Sequence, residues 1–170
     1  MDFLSLLLFL VPIYVANSSP VVLGGGYPLD FYKNFIDGRR ILGDGKTIKG
    51  FIAGIVCGSL IGVFIADFYL LPFFSDKMAQ VLGSLALAFG TMVGDSLGSF
   101  IKRRAGVGNG RPFFLDTIIF LLIALLFVYP FALPSLYAFE NLVFVFGLTI
   151  ILHPLANFFA NRAGLKNVPW

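Results

Sequence analysis

Basic residues occur in three short clusters along this chain, and long apolar runs separate the clusters. Eleven of the 12 Lys and Arg residues lie within 33–49, 102–111 and 162–166, and only Lys77 lies elsewhere. Long apolar runs form transmembrane helices, and the loops that retain Lys and Arg are the cytoplasmic ones. This single pattern therefore predicts both a membrane fold and its orientation.

Composition agrees with a chain that lies almost entirely in the bilayer. It is 58% hydrophobic and 12% charged, with a mean hydropathy of +0.92, whereas soluble domains are about 25% charged. Each crossing needs about 20 apolar residues. Five spans are predicted, at about 3–23, 51–72, 78–100, 113–133 and 137–160. We expect a single all-α integral membrane domain over 1–170, because helices satisfy their own backbone polar groups in lipid.

An odd number of spans places the two termini on opposite sides of the membrane. With the basic loops inside, the N-terminus lies outside and the C-terminus is cytoplasmic. The outer connections, near 75–77 and 134–140, carry only one Asp, one Lys and one Glu. We therefore predict a multi-pass protein of the cell membrane whose active site faces the cytoplasm. No nucleic-acid partner is expected.

Glycines recur every four residues in the second and third spans. They lie at positions 50, 54, 58 and 62 in the second span and at 90, 94 and 98 in the third. In lipid, such ridges of small residues allow helix backbones to approach closely. We expect spans two and three to cross closely, which brings the loops at their cytoplasmic ends together.

Two aspartates lie at membrane depth, where an ionisable group costs about 2.5–3.5 kcal/mol on insertion scales. Asp95 shares one face of span three with Ser99 and Lys102, and Asp116 lies a turn inside span four. Carboxylates at matching depth on consecutive helices can share Mg²⁺, which typically takes one or two carboxylates plus phosphate oxygens and water. The alternative is that each aspartate pairs with a neighbouring arginine.

The first cytoplasmic loop contains a glycine-rich turn beside basic residues, with the sequence GDGKTIKG over 43–50. The backbone N–H groups of such a turn, together with the Lys46 ammonium, can bind phosphate. The segment is not a P-loop, because Arg40 stands where that motif has a glycine. A solvated basic turn that only fixes orientation is the alternative.

Span one ends in polar and helix-breaking residues, NSSP at 17–20 and three glycines at 24–26. Irregular backbone at membrane depth is tolerated where it faces protein or a water-filled cavity. We interpret span one as a discontinuous helix beside a polar cavity, with a simple proline kink as the alternative. His153, Asn157 and Asn161 in span five are in a position to line the same cavity.

Cationic loops, membrane aspartates and a lipid setting together favour phosphate chemistry at the bilayer surface. Bringing two phosphates together is mainly an electrostatic problem, which Lys, Arg and Mg²⁺ can solve. A phosphate monoester is largely dianionic at neutral pH, since its second pKa is about 6, so it needs no strong general base. The residues predict a membrane phosphotransfer enzyme. The alternative is a small-anion or lipid transporter that uses the same cations.

Several motifs resemble those of a known enzyme family. The run GDSLGSFIKR at 94–103 is similar to the Asp…Ser-x-x-Lys-Arg part of the CDP-diacylglycerol synthase signature, and Asp116 lies where its closing aspartate is expected. Lys46-Thr47-x-x-Gly50 resembles an earlier segment of that family. With NSSP at 17–20 and the five-span length, the chain is most similar to the short archaeal relatives, the CDP-archaeol synthases.

The resemblance implies a reaction and a set of roles. CTP and an isoprenoid glycerol phosphate lipid, 2,3-di-O-geranylgeranylglyceryl phosphate, would give the CDP-activated lipid and pyrophosphate in the presence of Mg²⁺. Asp95 and Asp116 are expected to hold the metal and, with Lys46 and Lys102, to form the catalytic group. The expected substrate-binding residues are Asn17, Ser19, Asp44, Gly45, Thr47, Lys49, Ser99, Arg103, Arg104 and Arg111.

Overall fold

The computed structural model describes residues 2–108, 111 and 113–166. Over these residues the chain forms five α-helices and one 3₁₀ turn, and this described part contains no strand. The helices are α1 (Phe3–Leu23), α2 (Ile48–Phe68), α3 (Lys77–Arg104), α4 (Phe114–Val128) and α5 (Phe139–Arg162), and the 3₁₀ turn is Pro134–Tyr137. The predicted all-α fold is confirmed.

Four helices, α1, α2, α3 and α5, are long and apolar enough to cross a bilayer. The apolar helix α4 has 15 residues, which corresponds to about 22 Å, and it ends five residues before the predicted limit at 133. The reason is Pro130, which has no N–H to continue the helix. The amides of Phe131 and Ala132 instead donate to the Val128 carbonyl, at 2.9 and 3.1 Å.

Side-chain caps and terminal charges set the other helix limits. The Thr47 hydroxyl accepts a hydrogen bond from the Gly50 amide at 3.1 Å, so α2 begins three residues before the predicted span. Asp76 caps α3 in the same way. At its other end α3 continues to Arg104, past the predicted limit at 100, because its last turn carries three cations that the helix dipole favours.

Helix α1 is continuous through Pro12 and Pro20, so the prediction of a discontinuous first span is wrong. A proline removes the donor for the carbonyl four residues earlier. The Ala16 carbonyl, freed in this way by Pro20, lies against Gly54 of α2, where an added Cβ would be 2.7 Å from the oxygen. Close packing by the neighbouring helix therefore accommodates the proline without a break.

The two glycine ridges have different partners. A Cβ added at Gly58 of α2 would lie 2.8 Å from the Ala16 side chain of α1 and 2.9 Å from the Ala88 side chain of α3. A Cβ added at Gly94 of α3 would lie 2.6 Å from the Phe120 backbone of α4. Spans two and three do approach closely, as predicted, but the ridge on α3 accommodates α4 rather than α2.

The main apolar core lies at the end of the bundle away from the basic loops. It forms around Phe9 of α1, with Phe73 and Phe74 from the α2–α3 connection and Leu136 from the 3₁₀ turn. The Phe9 ring centroid is 6.0 Å from that of Phe73 and 6.5 Å from that of Phe74. Gln80 fastens the connection, because its side chain accepts from the Leu71 amide and donates to the Tyr69 carbonyl.

Candidate active site

A polar cavity lies among the helix ends that carry the basic clusters, and its volume is about 540 Å³. Its walls come from the end of α1, the α1–α2 loop, the end of α3, the start of α4, and the end of α5 with the residues after it. The charged residues that line it are Asp44, Lys46, Asp95, Lys102, Arg103, Asp116 and Lys166. The structure thus brings both predicted metal ligands to one cavity.

Each membrane aspartate is paired with a lysine. Lys46 of the α1–α2 loop donates to Asp95 of α3 at 2.5 Å, and Lys102 of α3 donates to Asp116 of α4 at 2.7 Å. The Lys102 side chain is only 8% exposed, whereas the other three are 21–28% exposed. The alternative interpretation expected arginine partners, and the partner in both pairs is a lysine.

Two features of α4 position Asp116. This residue lies in the first turn of α4, where the helix dipole stabilises a negative charge. The approach of α4 to the glycine ridge of α3 also brings the carboxylate against Gly98, where an added Cβ would be 3.6 Å from the Asp116 oxygen. The ridge therefore serves the site as well as the packing.

A buried aspartate that was not predicted from sequence, Asp30, organises the α1–α2 loop. It is 5% exposed, and it accepts hydrogen bonds from Arg40 at 2.6 Å and from the amides of Leu42 and Gly43 at 3.0 and 2.9 Å. Burial opposes ionisation, but these donors outweigh it and hold the pKa of Asp30 well below its ordinary value. The turn that carries Lys46 follows Gly43 directly in the sequence, so Asp30 helps to position this turn.

Two arginines fasten this loop to the end of α3. Arg39 donates to the last two carbonyls of α3, at 3.1 and 2.9 Å, which have no partner within the helix itself. Arg104 donates to Asp37 at 2.6 Å and stacks on the rings of Phe35 and Phe100. Arg104, predicted to bind substrate, thus packs the loop and does not line the cavity.

The predicted substrate-binding residues divide into two sets. Those that line the cavity are Asn17, Asp44, Gly45, Ser99 and Arg103. Those that do not are Ser19, Thr47, Lys49, Arg104 and Arg111. The sequence indicated the loops that surround the cavity, but it did not distinguish the side chains that line the cavity from those that pack outside it.

The residues outside the cavity have other partners or face solvent. The Ser19 hydroxyl donates to the Val15 carbonyl of its own helix at 2.6 Å. Thr47 is the α2 cap, and its hydroxyl also accepts from the Gly25 amide at 3.2 Å. Lys49 and Arg111 are exposed. Their positive charges contribute to the basic surface around the cavity rather than to its lining.

The end of α5 supplies a chain of polar groups. His153 and Asn157 line the cavity, as predicted, whereas Asn161 does not and instead donates to the Lys166 backbone carbonyl at 2.8 Å. The Lys166 ammonium donates to the side-chain Oδ1 of Asn157 at 2.7 Å, and the side-chain Nδ2 of Asn157 lies 3.0 Å from His153 Nε2. Burial, together with the nearby charge of Lys46, lowers the pKa of Lys166 below its ordinary value. Lys166 was not predicted; its only sequence signal is its place in the third basic cluster.

Comparison with known proteins identifies the family. The model of the CarS-like family, described as CDP-archaeol synthase, matches residues 2–170. This chain belongs to that family. It is similar to the CDP-archaeol synthase of Pyrococcus horikoshii, at 46% identity over 165 residues that cover 95% of this chain and 94% of the relative. It is also similar to that of Methanocaldococcus jannaschii, at 41% identity over 169 residues and with coverage of 95% and 94%.

A solved structure agrees with the sequence comparison. The fold is similar to that of a protein described as an intramembrane enzyme for archaeal membrane lipid biosynthesis, with a TM-score of 0.77 and 38% identity. The match covers 92% of this chain and 94% of that one. The resemblance predicted from the motifs is confirmed, as is the enzyme class, a nucleotidyltransferase of lipid synthesis. None of these comparisons supports the transporter alternative.

Proposed function

We propose that this chain transfers CMP from CTP to an isoprenoid ether glycerol phosphate, 2,3-di-O-geranylgeranylglyceryl phosphate, giving a CDP-archaeol-type lipid and pyrophosphate. Family membership supports these substrates. The observation that carries the proposal is the meeting of two Lys–Asp pairs, Lys46–Asp95 and Lys102–Asp116, in one cavity. Such a site offers acids for a metal and ammonium groups for phosphate within one polar space.

The chemistry requires that two anions react. An oxygen of the lipid phosphate attacks the α-phosphorus of CTP, the bond from that phosphorus to the bridging oxygen breaks, and pyrophosphate leaves with the electron pair. Lys46, Lys102 and Arg103 line the cavity and would neutralise the phosphates as they approach. The attacking phosphate is largely dianionic at neutral pH, so no side chain has to remove a proton.

We also propose that Asp95 and Asp116 hold Mg²⁺. The residues fit this ion, because two carboxylates completed by phosphate oxygens and water form its usual ligand set. Within residues 2–108, 111 and 113–166, no three His, Cys, Asp or Glu side chains gather as a metal site, so substrate would complete the set. When bound, the ion supplies positive charge to the phosphate oxygens.

The enzymatic test uses the purified protein with labelled CTP, Mg²⁺ and a panel of lipid phosphates. We expect CDP-lipid and pyrophosphate in equal amounts, with an isoprenoid ether phosphate preferred over a diacyl phosphate. Omission of Mg²⁺ should stop the reaction. CTP binding without turnover on any lipid phosphate would contradict the proposal and would favour the transporter alternative.

For the membrane arrangement, we propose five crossings with the N-terminus outside and the C-terminus and active site in the cytoplasm. The support is that eleven of the 12 basic residues belong to the cavity end of the bundle, whereas Lys77 lies at the other end. The test places single cysteines at Ile36, which is 94% exposed, and at Ser75, in a Cys57→Ala background.

A maleimide that cannot cross membranes reads out the orientation. In intact cells we expect Ser75→Cys to react and Ile36→Cys to stay unlabelled. Inside-out vesicles should reverse the result. Labelling of Ile36→Cys in intact cells would place the cavity on the outside and overturn the proposed orientation.

A further inference from the structure

The wall of the cavity between α1 and α5 carries polar groups that the reaction above leaves without a defined partner. They are Asn17 of α1, Asn157 of α5 and Lys166 after α5. The Lys–Asp pairs come instead from the α1–α2 loop, α3 and α4. The cavity therefore has two chemically different sides.

Lys166 is a cation held by a neutral partner. Among the described residues it belongs to no ion pair, and its hydrogen bond goes to the side-chain oxygen of Asn157. Lys46 and Lys102, in contrast, each face a carboxylate. A half-buried ammonium that lines a cavity without an acid partner favours the binding of an anion.

Asn17 provides a second, independent indication. Its side-chain nitrogen is buried and has no hydrogen-bond partner in the described part of the chain, although the residue lines the cavity. A buried donor without an acceptor is unfavourable, because it has lost its water and gained nothing in exchange. An anionic oxygen in the cavity would satisfy it.

The surroundings of these two donors distinguish between the phosphates that the reaction brings together. Val21 of α1 and Leu165 after α5 also line the cavity, so apolar side chains border this wall. Helix α5 packs mainly on α4 and the 3₁₀ turn and contacts α1 only sparsely. A phosphate that carries hydrocarbon chains fits such a loosely packed, partly apolar wall better than a triphosphate does.

We propose that Lys166 and Asn17 form the subsite for the phosphate monoester of the lipid acceptor, which enters between α1 and α5. This inference rests on the proposed function. The triphosphate of CTP then lies on the other side, at Lys46, Lys102 and the two aspartates. The attacking and the leaving groups are thus held by different sets of cations.

The polar chain behind Lys166 positions its ammonium group. A lysine can only donate, so the Asn157 oxygen must face it and the Asn157 nitrogen must face His153. His153 Nε2 is then the acceptor, and the proton of the neutral ring lies on Nδ1. His153 and Asn157 are accordingly positioning residues, and neither is assigned a proton transfer.

The test compares lipid and nucleotide parameters in Lys166→Met, with Lys33→Met as the matched control, because Lys33 is an exposed lysine of the α1–α2 loop at the same end of the bundle. Loss of a charged hydrogen bond should raise the KM for lipid phosphate about 10- to 100-fold. The Kd for CTP should stay within about twofold. Lys166→Arg should recover part of the loss, and Asn17→Leu should show a smaller rise in the same KM.

Each outcome has one meaning. A rise in the Kd for CTP, with the lipid KM unchanged, would assign Lys166 to the nucleotide and overturn the proposal, as would no change in either parameter. A wild-type protein that makes no CDP-lipid would overturn the proposed function alone. In that case, calorimetric binding of a short-chain isoprenoid glycerol phosphate, without CTP, still tests the subsite, which predicts weaker binding to Lys166→Met and to Asn17→Leu.

Discussion

The two ends of this helix bundle differ in what lies between the helices. One end is closed by a core of large apolar side chains around Phe9, Phe74 and Leu136. Toward the basic end a second, smaller buried apolar cluster consists of Ala16, Ala88 and Met92, and charged residues surround a cavity. The difference shows that apolar packing at one end can hold the helices together while the other end keeps a polar space open at membrane depth.

Ion pairs follow the same division. In the described residues, only Asp67–Lys77 lies at the closed end, and both of its side chains are more than half exposed. The pairs at the open end include Lys102–Asp116, in which the lysine is 8% exposed. Desolvation makes a buried ion pair weak support for stability, so these pairs are better explained by the chemistry of the site.

The largest effect should come from Asp95→Asn at the open end. Loss of a proposed metal ligand should lower the rate of CDP-lipid formation about 1000-fold, while the melting temperature in detergent stays close to that of the wild type. Asp67→Asn at the closed end is the matched control and should keep full activity. Retained activity in Asp95→Asn would remove this residue from the proposed metal site.

The converse substitution is Phe9→Ala at the closed end. Phe9 is fully buried, and truncation of such a side chain costs about 3 kcal/mol or more of unfolding free energy. We expect a lower melting temperature with an unchanged KM for CTP in the folded fraction. Phe64→Ala on α2, at a position that is 57% exposed, should change little. A large rise in the KM for CTP would show that the two ends are coupled.

A third prediction concerns Asp30, which orders the loop at the open end. Asp30→Asn should cost about 2 kcal/mol, because it removes a charged acceptor from Arg40 and two amides. Proteolysis of the α1–α2 loop should become faster, and the temperature of thermal unfolding should fall. The matched control is Asp37→Asn, since the Asp37 side chain in the same loop is 34% exposed and that of Asp30 is fully buried.

The same substitution has a defined pH dependence. The pKa of Asp30 is lowered in the folded protein, so its contribution is fully present above the ordinary aspartate pKa of about 3.9 and is lost as the pH falls toward the lowered value. The stability difference between the wild type and Asp30→Asn should be constant above about pH 5 and should shrink in more acidic solution. A difference that grows on acidification would contradict this assignment.

The smallest effect should come from Thr47→Ala. Loss of the α2 cap costs about 1 kcal/mol, and Thr47→Ser should restore it, because serine caps equally well. The melting temperatures of both variants, measured by thermal unfolding, test this prediction. If the hydroxyl also donates to substrate, as the motif predicts, Thr47→Ala will raise the KM for CTP as well. An unchanged KM would show that Thr47 acts only as the cap of α2.

The helices could be predicted because apolar runs are local properties of the sequence. Their limits could be predicted only in part, since they depend on single caps such as Thr47 and on a proline at position 130. The continuity of the first helix through Pro20 could not be predicted. It depends on Gly54 of α2, which has no side chain and so leaves room for the Ala16 carbonyl. Whether a proline interrupts a helix in lipid therefore depends on the tertiary contacts around it.

The acids of the site could be predicted from their cost at membrane depth, but its walls could not. Lys166 lines the cavity only because α5 brings the segment after it back toward Asn157, and no periodicity in the sequence encodes that return. The position of Arg104 likewise depends on tertiary contacts. Arg104 follows Arg103 in the same basic run, but its side chain contacts the rings of Phe35 and Phe100 and the Asp37 carboxylate instead of lining the cavity.

The short length of α4 has a consequence for the surrounding lipid. Its 15 residues extend about 22 Å, whereas the hydrocarbon is about 30 Å thick. If α4 crosses, this hydrophobic mismatch thins the bilayer locally, and the lipid headgroups of the leaflet beside Asp116 lie closer to the cavity. We expect the rate of CDP-lipid formation to be highest in thin bilayers, because in a thick bilayer the phosphate of the lipid acceptor would lie farther from the cavity.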